Sequence, residues 1–262
     1  MTPSAYPEST GCALDELVAA ADALLEPARF QDYGPNGLQV QGRPQVRRLV
    51  SGVTASLALI DAAIEAGADA ILVHHGLFWR GQRGTVTGWL KTRLQRLLVH
   101  DVSLLAYHLP LDAHPQVGNN AQLALRLGFR PEGDGWGRFG EQQLGFVGLS
   151  PVPDAAALAA HLEQVLGRRP LWVPGDGRPL RRIGWCSGGA QNYFEAAIAA
   201  GVDAFLTGEM SEPQAHLARE CGVAFYACGH HATERYGAPA LGAWLAQQLG
   251  LQHSFIEIDN PA

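Results

Sequence analysis

Ten histidines are spread through the 262 residues, and the pairs His74-His75 and His230-His231 each follow an apolar run, with His108 and Asp112 between them in the chain. Imidazole and carboxylate groups are the donors that borderline divalent cations take, and they are also the groups that move protons near neutral pH. Adjacent residues of a strand point to opposite faces, so His74 and His75 reach one point only if the backbone turns, which Gly76 permits. The alternative for this pair is two histidines satisfied by backbone carbonyls. In Gly229-His230-His231-Ala232-Thr233-Glu234-Arg235, a helix beginning at His230 places His230 and Glu234 one turn apart on one face, where they can converge on a cation. The same spacing would also let Glu234 favour the helix dipole and His230 cap backbone groups. In Tyr107-His108-Leu109-Pro110-Leu111-Asp112-Ala113-His114-Pro115, the two prolines argue against a regular helix and for extended or turn geometry. Asp112 then sits on a stiff loop where its carboxylate can bridge two cations, and His108 can donate a ring N–H that orients a ligand. The plainer readings are a turn residue for Asp112 and a surface loop histidine for His114.

These residues need strands to carry them. Arg48–Val53 concentrates β-branched and apolar residues, Ser56 can cap a helix from Leu57 to Ala66, and Gly67 ends it. Ala70-Ile71-Leu72-Val73 is apolar without alternation, as expected of a parallel strand covered on both faces, and it runs into His74-His75-Gly76. Further on, Pro131 to Gly140 reads as a connection, followed by a strand at Leu144–Val147, a helix at Asp154–Leu166 and a strand at Leu171–Val173.

The strand-helix-strand unit recurs. The displacement that carries Arg47-Arg48 onto Arg181-Arg182 also carries Ala62-Ala63-Ile64 onto Ala196-Ala197-Ile198, Ala66-Gly67 onto Ala200-Gly201 and Asp69-Ala70 onto Asp203-Ala204, without a gap. At a different displacement, Leu104-Leu105-Ala106-Tyr107 resembles Val223-Ala224-Phe225-Tyr226. The expected fold is α/β: two similar halves from an internal duplication, with mixed sheets flanked by helices. The halves are expected at 1–128, carrying His74, His75 and Asp112, and at 129–262, carrying His230 and Glu234. The duplication sets His74-His75 on Gly208-Glu209, so polar groups gather at corresponding strand ends, and a ligand cleft between the halves is expected.

Composition narrows the rest. An apolar content of 47% with 17% charged residues is enough to fill real cores. The net charge of −6 argues against general affinity for nucleic acid or anionic lipid. Cys12, Cys186, Cys221 and Cys228 form no C-x-x-C pair, so reduced and mostly buried thiols are expected. The N-terminus lacks a basic leader, and Leu14, Leu17, Val18, Ala21, Leu24 and Leu25 have amphipathic-helix spacing, which points to a soluble cytoplasmic protein.

His-His-Gly-Leu-Phe-Trp at 74–79, Tyr-His-Leu-Pro-Leu-Asp-Ala-His at 107–114 with Gly118-Asn119-Asn120, and Gly-His-His-Ala-Thr-Glu-Arg at 229–235 occur in that order. Together with Asp32-Tyr33 and Pro35-Asn36-Gly37-Leu38-Gln39-Val40, the chain resembles the short bacterial branch of the Nif-three-like (NIF3-like) family, often described as GTP cyclohydrolase I type 2. The resemblance implies a dinuclear centre with His74, His75, Asp112, His230 and Glu234 as ligands, two similar α/β domains, and a homo-oligomer, often a hexamer. A one-residue slip would exchange His230 for His231. Five N/O ligands suit Zn, Fe, Mn, Ni or Mg, and do not choose among them.

The family description implies a hydrolase whose metal-bound hydroxide attacks C8 of the guanine ring of GTP, with formate release, and with His108 or Glu234 as the catalytic proton carrier. Arg80 and Arg83 could meet the triphosphate of this small-molecule substrate, whereas Lys91, Arg93 and Arg96 read better as a solvated face. The alternative function is a metal-binding chaperone or iron-trafficking protein that does not turn over GTP. A regulatory or DNA-repair adaptor stands last, since no nucleic-acid motif is present.

Overall fold

The computed structural model describes residues 10–262. The expected absence of a leader concerns residues 1–9 in part, and these lie outside the described residues. By its internal contacts the chain divides into two units, one reaching to Leu111 and including Ala238–Ile258, the other Asp112–Gly237 with Asp259–Ala262. The division falls before Asp112 rather than after residue 128, and the segment Ala238–Ile258 returns to the first unit. The cause is a strand, Gln252–Phe255, that pairs in parallel with Arg48–Thr54.

In the first unit a five-stranded sheet runs in the order Gln252–Phe255, Arg48–Thr54, Ala70–His75, Ser103–Ala106, Gly37–Val40. The first four strands are parallel and Gly37–Val40 is antiparallel to its neighbour. Ala70 to His74 are all buried, which is why the strand shows no alternation. Ser56 caps the helix Leu57–Glu65 as expected, its Oγ accepting from the Leu59 N–H at 3.1 Å. Leu59, Ile60 and Ala63 of that helix pack with Val50, Ile71 and Val73 of the sheet. The opening helix Leu14–Leu25 buries Leu14, Leu17, Ala21 and Leu25.

The second unit holds a six-stranded sheet in the order Gly137–Phe139, Gly145–Leu149, Arg182–Trp185, Ala204–Thr207, Ala224–Ala227, Leu171–Val173. Its three parallel members are Arg182–Trp185, Ala204–Thr207 and Ala224–Ala227. Asp154 caps the helix Ala155–Leu166 through Oδ1 and the Ala157 N–H, at 2.8 Å. Leu158 and Leu162 of that helix pack with Phe146, Trp185 and Tyr226. The stretch Pro131–Gly140 is not wholly a connection, since Gly137–Phe139 adds an antiparallel edge strand beside Gly145–Val147. Its glycines hid the strand, because two-residue alternation needs side chains to be visible.

The duplication is seen in hydrogen bonds. Asp69 accepts the backbone N–H groups of Arg47 and Arg48 at 2.8 and 2.9 Å, and Asp203 accepts those of Arg181 and Arg182, each at 2.9 Å. Arg48 Nη1 donates to the Ala66 carbonyl, and Arg182 Nη1 to that of Ala200. The same displacement carries the antiparallel strand Gly37–Val40 onto Leu171–Val173, so the repeat begins earlier than its sequence likeness suggests. The second likeness is corrected by register. Leu104 lies opposite Ile71 and Phe225 opposite Phe205, so the partner of Leu104 is Phe225, two residues beyond Val223. A slip of two preserves which face each side chain takes, and composition alone cannot detect it.

Cys12, Cys186 and Cys228 are buried and Cys221 is exposed, all as free thiols. Among the described residues, no helix is long and apolar enough to cross a membrane.

Candidate metal centre

In the first unit, the strand Ala70–His75 ends on both histidines of the pair. Their rings stand 4.5 Å apart at 46°, although both residues still belong to the strand. Alternation separates Cβ directions and not ring positions, so the turn at Gly76 is not what brings them together. His108 completes the group, with its ring 5.0 Å from that of His74 and 5.7 Å from that of His75. Each of the three offers one ligand atom, and these atoms lie within 4.8 Å of one another.

Their other ring nitrogens are engaged. His74 Nδ1 lies 3.0 Å from the Tyr107 carbonyl oxygen, which can only accept, so Nδ1 carries the hydrogen. His108 Nδ1 donates to Asp32 Oδ1 at 2.6 Å. Burial raises the Asp32 carboxyl, but the hydrogen bond and charge of His108, with Asn36 and the Leu109 N–H, outweigh it and hold the carboxyl down at about 2. His75 Nδ1 meets Thr54 Oγ1 at 3.0 Å. Gly34, Pro35, Gln39, Trp79 and His108 line a small hollow beside His74.

In the second unit, the helix His230–Glu234 forms as its spacing predicts, and His230 Nε2 lies 3.0 Å from Glu234 Oε2. The same ring gives Nδ1 to Glu209 Oε1 at 2.6 Å. Burial depresses the His230 pKa, yet Glu234 and then Glu209 overcome it and raise it to about 9. His231 is buried, and its backbone N–H donates to the Ala262 carbonyl at 3.1 Å. Glu234 is buried, and Gly188 makes room for it: a Cβ there would fall 2.0 Å from Glu234 Oε1.

Asp112 is buried and accepts at Oδ1 from Asn119 Nδ2 at 3.0 Å and Ser187 Oγ at 3.1 Å. It does not sit on an extended loop, because Leu109–Ala113 is a short helix. Pro110 is tolerated in the first turn, where its missing N–H would have had no partner in the helix. His114 serves its own loop, Nδ1 accepting from the Gln116 and Val117 N–H groups.

The family model Duf34/NIF3 (NGG1p interacting factor 3) matches residues 12–261. The chain belongs to the DUF34/NIF3 family. A Pseudomonas aeruginosa member named "GTP cyclohydrolase 1 type 2 homolog" is 57% identical over 250 residues, covering 95% of this chain and 99% of the relative. The solved structure described as "protein ybgI, unknown function" superposes with a TM-score of 0.89 at 46% identity, covering 96% and 100% of the two chains. The TTHA1606 protein of Thermus thermophilus gives 0.86 at 34% identity, covering 96% and 100%.

For a NIF3 protein, the donor chemistry here fits a divalent cation: imidazole nitrogens and buried carboxylates that could hold a metal ion. Burial, followed by the charges of Asp112 and Glu234, pushes the Cys186 thiol well above its normal pKa. Sequence reasoning assigned no role to Asp32, Asn119, Ser187 or Glu209. Asp32 and Asn119 were visible as motif members, and Glu209 as the residue that the duplication sets against His75. Ser187 gave no signal. Of the proposed phosphate cations, Arg80 donates to the Asp32 carbonyl and lies over the Tyr33 ring, while Arg96 pairs with Asp61.

Proposed function

We propose that the protein is a dinuclear metal-dependent hydrolase with His74, His75, Asp112, His230 and Glu234 as one donor set for two divalent cations. GTP is the first substrate to test. The observation that carries the reading is the histidine cluster: the ligand atoms of His74, His75 and His108 lie within 4.8 Å of one another, with His74 held through Nδ1 by the Tyr107 carbonyl. The His230–Glu234 pair, on one turn of helix, supports it from the second unit. Two such cations lower the pKa of a shared water and offset the negative charge that develops during attack.

The protein's own residues supply the rest. Asn119 and Ser187 hold Asp112 in one orientation, and Glu209 does the same for His230. Water would add at C8 of the guanine and the C8–N9 bond would break to leave a formamide; a second water would cleave the remaining C8–N7 bond and formate would leave, with His108 or Glu234 carrying the proton. Arg83 is exposed and could meet the triphosphate. The relatives' name supports a nucleotide substrate, and the family likeness extends the proposal to a homo-oligomer, a hexamer, in the cytoplasm.

The test is formate release from GTP by the purified protein loaded in turn with Zn, Fe, Mn, Ni and Mg. Release in at least one metal, abolished by chelator and by Asp112→Ala, is expected. Tight metal loading without formate in any of them would overturn hydrolysis of GTP and favour a metal-carrying role.

A further inference from the structure

We propose that Arg138 and His114 form an oxyanion site in the second unit that takes a phosphate group of the substrate. The inference rests on the nucleotide reading above and deepens it, because it names the groups that hold the charged end of such a molecule.

Arg138 lies in the strand Gly137–Phe139, directly opposite Phe146 of the neighbouring strand. That register lays the guanidinium over the buried Phe146 ring, 3.5 Å from its centroid. Nη2 donates to the Ala113 carbonyl at 2.9 Å and Nη1 to the Gln143 carbonyl at 3.3 Å. The ring sets the plane of the guanidinium, and the two carbonyls set its rotation within that plane. Nε–H and the second hydrogen on each Nη make no other hydrogen bond among the described residues.

A guanidinium taken partly out of water needs a negative partner, because desolvation penalises its charge. Burial pulls the Arg138 pKa down to about 10, against an opposing effect of Cys186, and among the described residues no carboxylate pairs with it. His114 supplies a second donor. Its Nδ1 accepts from the Gln116 and Val117 N–H groups at 3.2 and 3.1 Å, so the ring hydrogen stands on Nε2. The half-buried ring follows directly on the Ala113 carbonyl that Arg138 grips. After burial, the Arg138 charge is the second cause that lowers the His114 pKa, so the two groups are within electrostatic reach of each other.

An imidazole N–H beside a guanidinium, with no carboxylate on either, accepts an oxyanion and repels a cation. A planar fork of N–H groups matches two oxygens of one phosphate, which the point charge of lysine does not. Ala113 follows Asp112, whose own carbonyl Asn120 Nδ2 holds at 3.2 Å. The charged end of a substrate is thereby brought beside the segment that carries a proposed metal ligand.

The test uses the full chain stripped of metal by chelator, so that no bound cation can hold the anion, and calorimetric titration with inorganic triphosphate, GTP and guanosine. Triphosphate and GTP should bind and guanosine should not. Arg138→Gln should weaken both about 10- to 100-fold, and Arg138→Lys, which keeps the charge without the fork, should fall between. His114→Ala should weaken both by a smaller factor. Unchanged affinity in folded Arg138→Gln or in His114→Ala, no binding of either anion by the native chain, or guanosine bound as tightly as GTP would overturn the inference. Triphosphate bound without GTP would also overturn it, by assigning the site to a free anion. Should Arg138→Gln not fold, metal-free native crystals soaked in tungstate, a phosphate mimic, must show an anomalous peak against the Arg138 guanidinium, and no peak there overturns the site. Triphosphate bound through Arg138 without formate release in any metal sinks the hydrolase reading alone. Formate release with an unchanged KM for GTP in Arg138→Gln sinks the phosphate site alone.

Discussion

His108 and Asp32 stand 76 positions apart in the chain, yet Nδ1 of one lies 2.6 Å from Oδ1 of the other. The bond decides which nitrogen of His108 faces His74 and His75, and it is made by a carboxylate that the surrounding N–H groups keep ionised.

In the metal-free protein, the neutral form of His108 is therefore expected as a single tautomer, with its hydrogen on Nδ1. Nitrogen-15 NMR of the imidazoles reads this directly. Asp32→Asn should give a mixture of tautomers or the opposite one, while a spectrum identical to wild type would show that Asp32 does not set the ring.

Asp69 and Asp203 should behave as twins. Each accepts two backbone N–H groups at the start of the equivalent strand, so Asp69→Ala and Asp203→Ala should each cost about 1–3 kcal/mol, the loss of two hydrogen bonds to a carboxylate. Asp69 also pairs with Arg43 at 2.9 Å, which should place its loss at the upper end. Urea unfolding measures both, and a loss below about 0.5 kcal/mol at either site would contradict the shared role.

Gly188 has φ of +69°, and an added Cβ would fall 2.0 Å from Glu234 Oε1 and 3.1 Å from His230 Nε2. Gly188→Ala should therefore cost about 1–2 kcal/mol from the backbone and lower metal affinity at least about tenfold, although no ligand is changed. Metal titration against wild type checks it, and unchanged affinity would mean that Glu234 is not a ligand in this position.

Much of this was legible in the sequence because it rests on local rules. The caps at Ser56 and Asp154, the amphipathic opening helix and the unalternating strand at Ala70 follow from single residues and their spacing. The duplication was visible because the Gly-x-Asp-Ala corner keeps a hydrogen-bond device, Asp69 or Asp203, that tolerates no gap. What stayed hidden is long-range. The Asp32–His108 bond, the Glu209–His230 bond and the return of Gln252–Phe255 to the first sheet are pairings across many residues that no local pattern encodes. The short helix at Leu109–Ala113 was missed for a different reason: proline breaks helix interiors but fits first turns, and the distinction depends on where the helix begins.

The most direct measurement is anomalous diffraction from crystals of the protein soaked with zinc. The account predicts two peaks roughly 3.5–4 Å apart, ringed by His74, His75, Asp112, His230 and Glu234. Strong peaks elsewhere on the chain, or none at these residues under saturating zinc, would contradict it.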